Sequence, residues 1–469
     1  MITSVASRLS LRVKSPSFAA ALLIIILAVM CAVAYEKNPV FLLPVSAFAA
    51  VVLTLIILRP TLSEAIFFAL PLITPLGTGL LNGIITIKVT SVWLVLFLSV
   101  WVLTGASGGW LKNCSRTPYI YFLSLYAVLF AASLFTHPIH ENALLSLAQL
   151  LALIGVYWLT SQLLTDQDLT RILSAVILGT TVGCIGFFIA FSRGMPSLTL
   201  SGFTYGLMRP VVLNHNANSW ALYPMVGLPL AAALIMYAPK SFRRSFLLVG
   251  CALILFFEAG LNMSRSVLLG VFVAVMIAAL LHPVWRKILF AAFAFGSAAI
   301  LLLFPRILSL GGSILRLQAG LSGRDKIWAM TFGLISETPF LGMGPGWFRE
   351  RFFLNAPFME NGIKMGSDRL NAHNTFLQIG VDVGLLAMLV ALAILFFFAY
   401  RSFKLWRRLH NQADRAVLIA VTALMFGEFM HILFEVDFMI PHLYLNQNIF
   451  MVLLLAIQDN LYSREHSTI

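Results

Sequence analysis

The chain has 469 residues, 60% hydrophobic and only 10% charged, with a mean hydropathy of +0.94. A soluble protein carries about a quarter charged residues, so the composition excludes a soluble enzyme and leaves no soluble domain large enough to fold alone. The net charge of +13 therefore has to be read against a membrane, and no nucleic-acid partner is expected.

The N-terminal stretch MITSVASRLSLRVKSPSFAAALLIIILAVMCAVAYEK joins a basic flank to an apolar run. It resembles a signal peptide, with Ala32 and Ala34 spaced as at a cleavage site. A second apolar run begins almost at once near Pro39, so an uncleaved first span is expected. Apolar segments long enough to cross a bilayer, about 20 residues each, then begin near Phe18, Val40, Leu62, Thr90, Tyr119, Ala143, Ile172, Asn218, Ser245, Ser266, Ile288, Thr375, Val417 and Asn446. Pro71 and Pro75 break the third. The expected fold is an all-α polytopic membrane protein of about 14 transmembrane helices.

With the N-terminus inside, 18 of the 31 Lys and Arg residues fall on the cytoplasmic side, the bias that the positive-inside rule requires. Both termini are then cytoplasmic. Eight of the remaining cations lie between Arg306 and Arg369, in the one long connection, which faces outward. A basic cluster on that side runs against the topological trend and points to an anionic ligand. Cys31, Cys114, Cys184 and Cys251 do not pair by spacing, so neither a disulfide framework nor a metal knuckle is expected.

Within the long loop, Ile327, Met330 and Leu334 recur at helical spacing. They predict a short amphipathic helix over Arg324–Ser336, with Ser322 as N-cap and Asp325 in the acidic-favouring first turn. Arg324 and Lys326 project from its start. The stretch PFLGMGPGWF at 339–348 predicts a tight glycine and proline turn. His373 and Asn374 stand where RLNAHNTFLQIGVDVGLL changes from polar to apolar, at the mouth of the twelfth expected span. Arg209, in GLMRPVVLNHNANSWALYP, and Arg265, in NMSRSVLLG, add cations at outer helix ends; an arginine there is often an interfacial snorkeller.

A guanidinium fits phosphate oxygens two at a time and keeps its charge. Several at one membrane level suit a diphosphate at the lipid headgroup. An imidazole, unperturbed near pH 6.5, suits general-base activation of a sugar hydroxyl. The only Asp-x-Asp, Asp166 to Asp168, falls in a cytoplasmic connection and reads as a helix cap. No metal site and no cofactor are expected.

NMSRSVLLG, SGRDKIW, PFLGMGPGWF and AHNTFLQIGVDVGLL occur in that order. Together they resemble the bacterial O-antigen ligase and O-antigen polymerase family, over the C-terminal half of the chain from about Leu213. The resemblance implies N-terminal transmembrane helices over 1–212 and a ligase- or polymerase-like domain over 213–469 that includes a periplasmic loop at 306–373. It implies an inverting, metal-independent membrane glycosyltransferase of the GT-C type in the bacterial inner membrane, with its active site on the periplasmic side. His373 takes the position of the family's base and Arg324 that of its long-loop arginine. Arg265 and Arg209 take those of the arginines that grip the diphosphate, with Lys326 and Asn374 beside it. The implied partners are an undecaprenyl-diphosphate-linked glycan donor, a lipid-linked or lipid A core acceptor, a flippase and a chain-length regulator. Two departures stand out. The family's acid in the first turn after its HN motif is displaced here to Asp382, and the span count exceeds that of the ligases.

Three functions follow. The favoured one is a polymerase of lipid-linked repeat units, because two basic external loops, around Arg209 and Arg324, would hold donor and acceptor. A ligase transferring finished polymer to lipid A core uses the same donor, and only the acceptor pocket, expected near Arg349–Lys364, separates the two. A transporter of the bicarbonate type would need paired ionisable residues within the spans. Glu64, Glu258, Glu428, His431 and Glu435 are the candidates, the last three on one helical face at i, i+3 and i+7. Those three could equally support the outer site from behind.

Overall fold

The computed structural model describes residues 117–140, 143–163, 169–192, 196–199, 209–212, 220–238, 241–262, 264–287, 290–291, 324–348, 350–351, 371–436 and 439–467. The expected spans near Phe18, Val40, Leu62, Thr90 and Ile288 lie outside these residues, as do Ser322, the Asp166–Asp168 pair and most of the expected acceptor loop. The chain divides into two compact units: 1–116, 163–289 and 409–424 form the first, and 117–162, 290–408 and 425–469 the second.

In chain order the elements are α1 (Tyr119–Ser133), α2 (Ala143–Leu163), α3 (Leu169–Ser192), β1 (Pro196–Thr199), β2 (Arg209–Val212), α4 (Leu222–Tyr237), α5 (Phe242–Asn262), α6 (Arg265–Leu281), α7 (Arg324–Glu337), α8 (Thr375–Asp382), α9 (Leu385–Trp406), α10 (Gln412–Ile432) and α11 (Pro441–Ser467). Four of them, α3, α5, α9 and α10, are long and apolar enough to cross a membrane; α1, α2, α4 and α6 are apolar over shorter stretches. The 22 residues of α9 would extend about 33 Å at 1.5 Å per residue, against a hydrocarbon core of about 30 Å. Every other described helix that corresponds to an expected span begins within a few residues of its expected start. The antiparallel β1–β2 ladder, which pairs Thr199 with Arg209, is an element the all-α expectation did not contain.

In the first unit α4 is buried along nearly its whole length and packs against α3, α5 and α6. Phe187, Trp220 and Tyr223 form its aromatic centre, with Phe187 5.3 Å from Trp220 between ring centroids. Glu258, fully buried in α5, accepts a hydrogen bond from Asn262 one turn on.

In the second unit α9 packs against α1, α8 and α11. Arg401 is one of the 18 cations that the charge bias assigns to the cytoplasmic side, where a solvated loop position is expected. It is instead buried in the last third of α9, ion-paired with Asp459 of α11. Tyr157 donates to the same carboxylate, and Tyr119 donates to Gln458, whose amide reaches the Phe398 carbonyl at 2.8 Å and Ser402 Oγ at 2.6 Å. A charge so placed stays buried only when paired and hydrogen-bonded, and this network cross-braces four helices.

The expected twelfth span is broken. The apolar run from Thr375 is the short helix α8, which ends at Asp382, and the spanning helix α9 starts only at Leu385. Gly384 closes α8 locally, its N–H bonded to the Ile379 carbonyl at 3.0 Å, and the glycine-rich turn some 40 residues earlier holds the break open. The backbone N–H of Met343 donates to the Val381 carbonyl at 2.7 Å, that of Gly344 to Asp382 at 2.9 Å, and that of Leu385 to Pro339 at 2.8 Å. The turn thus ties α7 to the α8–α9 break through main-chain bonds. Gly384 has φ +96°, and a Cβ there would stand 2.1 Å from the Phe340 carbonyl oxygen; one on Gly342 (φ +67°) would stand 2.6 Å from that of Val381. Gly384→Ala should therefore cost about 1–3 kcal/mol for the backbone conformation alone, with the clash in addition. The expected result is a lower melting temperature and a smaller monodisperse fraction of the detergent-purified variant.

Candidate functional site

The motifs singled out in the long connection converge on one small core in the second unit. Ile327, Leu334 and Ile335 of α7, Met343 and Phe348 of the turn, and Ala372, Leu377 and Val381 around α8 are buried together, with Trp328, Met330 and Trp347 packed on them. This cluster sets Arg324 at the start of α7 against the segment that carries His373.

That segment is held residue by residue. Ala372 donates its N–H to Gln378 Oε1 at 2.9 Å, and its carbonyl accepts from Trp328 Nε1 at 3.0 Å. The His373 N–H donates to Asn371 Oδ1 at 2.8 Å. Asn374 is the N-cap of α8. Its Oδ1 accepts from the Leu377 N–H at 3.0 Å, as a cap should, and its Nδ2 donates to the Leu433 carbonyl at 3.0 Å. Thr375 Oγ1 donates to the Glu435 carbonyl at 3.0 Å. Among these anchors His373 has φ +47°, the left-handed region, which costs a side-chain-bearing residue of order 1–3 kcal/mol and persists only where the surroundings over-determine it.

Glu435 completes the cluster. Its Oε1 accepts from Arg324 Nη2 at 2.7 Å, and its Oε2 lies 3.3 Å from His373 Nδ1. The Arg324 and Glu435 side chains are 16% and 7% exposed, whereas His373 keeps 32%. The carboxylate is thus taken out of water while the imidazole remains reachable. A carboxylate at Nδ1 fixes the proton on that nitrogen and leaves Nε2 as the basic atom. The arrangement can accept a proton at Nε2, stabilise the resulting imidazolium, and present the remaining guanidinium donors of Arg324 to an anion. Among the described residues no three His, Cys, Asp or Glu side chains gather as a metal would require.

Burial by itself would push the Glu435 carboxyl upward. The His373 hydrogen bond and charge, then Arg324 and His431, outweigh it and hold the group below the ordinary glutamate value. A depressed native value contributes stability that is complete above the unfolded value, about 4.3, and is lost as the pH falls through the lowered native one. Melting temperature should therefore drop as the pH is taken below about 4.3, and Glu435→Gln should flatten that part of the profile.

Three expectations need correction. His373 does not cap a transmembrane helix; it precedes α8, and α9 starts afresh beyond the glycine break. Glu435 does not share a helical face with Glu428 and His431, because α10 ends at Ile432 and Phe434 is already in a turn, its N–H bonded to the His431 carbonyl at 2.9 Å. Asp382, expected as the displaced acid, is buried at the far end of α8 and accepts from Gln378 Nε2 at 3.0 Å. The acid that meets His373 comes from another element. Lys326 is exposed two residues after Arg324, a spacing at which helical side chains do not face each other. Arg265 opens α6 and is half-buried, and Arg209 opens β2; both belong to the first unit.

Residues 245–392 match the family described as O-antigen ligase. No curated protein matches the chain. The matched segment includes Arg265, Arg324, Lys326, His373, Asn374 and the glycine turn, and it stops before Glu435. With its apolar helices, the chain is a multi-pass membrane protein in which residues 245–392 carry the likeness to the O-antigen ligase family.

Proposed function

We propose that the protein is an inverting, metal-independent glycosyltransferase of the GT-C type that takes its glycan from undecaprenyl diphosphate and polymerises lipid-linked repeat units. The observation that carries this reading is the bridge of Glu435 between Arg324 and His373. In the step, His373 Nε2 removes the proton from an acceptor hydroxyl as that oxygen bonds to the anomeric carbon. The bond from that carbon to the diphosphate breaks, and the lipid diphosphate leaves with the electron pair. Glu435 holds the imidazole and stabilises its charge. Arg324 binds Glu435 through one nitrogen and meets the leaving diphosphate with the others. Lys326, Arg265, Arg209 and Asn374 serve the diphosphate, and Asn374 also positions His373.

The same reading carries about 14 spans, both termini in the cytoplasm, the site on the periplasmic face of the inner membrane, and a boundary between N-terminal helices and the transferase domain near 212. A flippase would deliver the donor, and a chain-length regulator would set product size. The second reading, a ligase that moves finished polymer to lipid A core, is favoured by the family description of residues 245–392. Bicarbonate-type transport ranks below both, since Glu435, one of its candidate residues, is engaged by Arg324 and His373. The glycan profile of a strain lacking the gene tests all three. Single repeat units accumulating on the carrier fit a polymerase, long chains stranded on it beside uncapped core fit a ligase, and unchanged glycans defeat both.

A further inference from the structure

Beside the turn that locks α7 to α8, a second set of polar groups serves neither the lock nor the Arg324–Glu435–His373 bridge. The segment leaving α1 runs Thr136, His137, Pro138, Ile139, His140. Trp347 Nε1 donates to the Pro138 carbonyl at 2.8 Å, and the His137 and His140 rings lie 6.0 and 6.3 Å from the Trp347 ring. His140 Nε2 is 3.5 Å from Glu350 Oε1, and the Glu350 side chain is half exposed. His137 Nδ1 is buried with no hydrogen-bond partner, a costly arrangement unless something else supplies one.

We propose that this shelf of His137, His140, Trp347 and Glu350 seats the terminal sugar of the acceptor. A pyranose has an apolar C–H face and a rim of hydroxyls. An indole offers an apolar body, and imidazole nitrogens and a carboxylate offer acceptors and donors for hydroxyls. The shelf's own polar groups are imidazoles and a carboxylate, which suit neutral hydroxyls rather than a phosphate; the guanidinium at Arg324 suits the reverse. Trp347 packs on the same buried core as Ile327 of α7 and Leu377 of α8, so the shelf is fixed relative to Arg324 and His373. The inference rests on the glycosyltransferase reading and adds the side from which the attacking hydroxyl arrives.

The test is equilibrium binding, so that it does not depend on turnover. The probe is the oligosaccharide of one repeat unit, cut from the source bacterium's own surface polysaccharide and carrying no diphosphate, titrated into the full chain in nanodiscs. Glu350→Gln and His137→Gln should each raise its Kd at least tenfold, with unchanged melting temperature and unchanged affinity for a lipid-linked diphosphate lacking sugar. His373→Ala should raise that Kd by less than either shelf variant does while transfer is lost. If the wild type does not bind the oligosaccharide, or if both shelf variants bind it as the wild type does, the shelf is only a clasp between two connections. Retained transfer in His373→Ala would instead overturn the catalytic reading, and a raised Kd in the shelf variants would still support the shelf.

Discussion

His373→Ala, reconstituted at wild-type level and folded, is expected to transfer glycan about 10²–10⁴-fold more slowly, the range that a positioned acid or base contributes. The expectation follows from the cost of placing the ring. Its backbone sits at φ +47°; Ala372 beside it is held by the Trp328 and Gln378 side chains, and the Asn374 and Thr375 side chains donate to the Leu433 and Glu435 carbonyls. A structural histidine does not need that conformation, and an alanine there would not be markedly less strained. The variant should therefore lose far more rate than stability. Initial rates with a lipid-linked donor, set beside melting curves, separate the two effects.

The second large effect is at Glu435, where two substitutions should part company. Glu435→Ala removes the partner of a mostly buried guanidinium, and breaking such a pair costs about 3–5 kcal/mol. This variant should be hard to recover from the membrane. Glu435→Gln keeps the shape and a hydrogen-bond acceptor for Arg324. Its amide N–H₂, turned toward His373 Nδ1, would donate there and drive the ring proton to Nε2, the atom that must be basic. Rate should fall by about 10²-fold or more, through the wrong tautomer, with a much smaller loss of stability. If Glu435→Gln transfers at wild-type rate, the carboxylate is a structural anchor for Arg324 and takes no part in orienting the base.

Much of the local architecture is legible in the residues themselves. The helix over Arg324–Ser336 follows from its 3.6-residue periodicity and its acidic first turn, and the observed element differs by one residue at its end. The helices of the first unit follow from apolar runs of sufficient length. Long-range contact enters each of the misreadings. At Val383 and Gly384 a local stop, the positive-φ glycine whose N–H closes back on the Ile379 carbonyl at 3.0 Å, is reinforced by main-chain bonds from the turn at 339–344. Glu435 falls at i+7 from Glu428 and continues the helical pattern, yet α10 ends before it, and the carboxylate then turns to Arg324 and His373 from 111 and 62 residues away in sequence. A motif search could not find it, because it lies beyond the matched segment. The available signal was an acid at the end of an apolar helix, where a charge needs a partner. Arg401 carried the same signal, and its partner was again a distant helix.

The most direct test of the site is release of undecaprenyl diphosphate by the purified chain in nanodiscs supplied only with a lipid-linked repeat unit. The account predicts one diphosphate released for each new glycosidic bond, without added cofactor, and release cut at least 10²-fold in a folded His373→Ala protein. Undiminished release in that variant, or glycan transfer without release of the diphosphate, would contradict it.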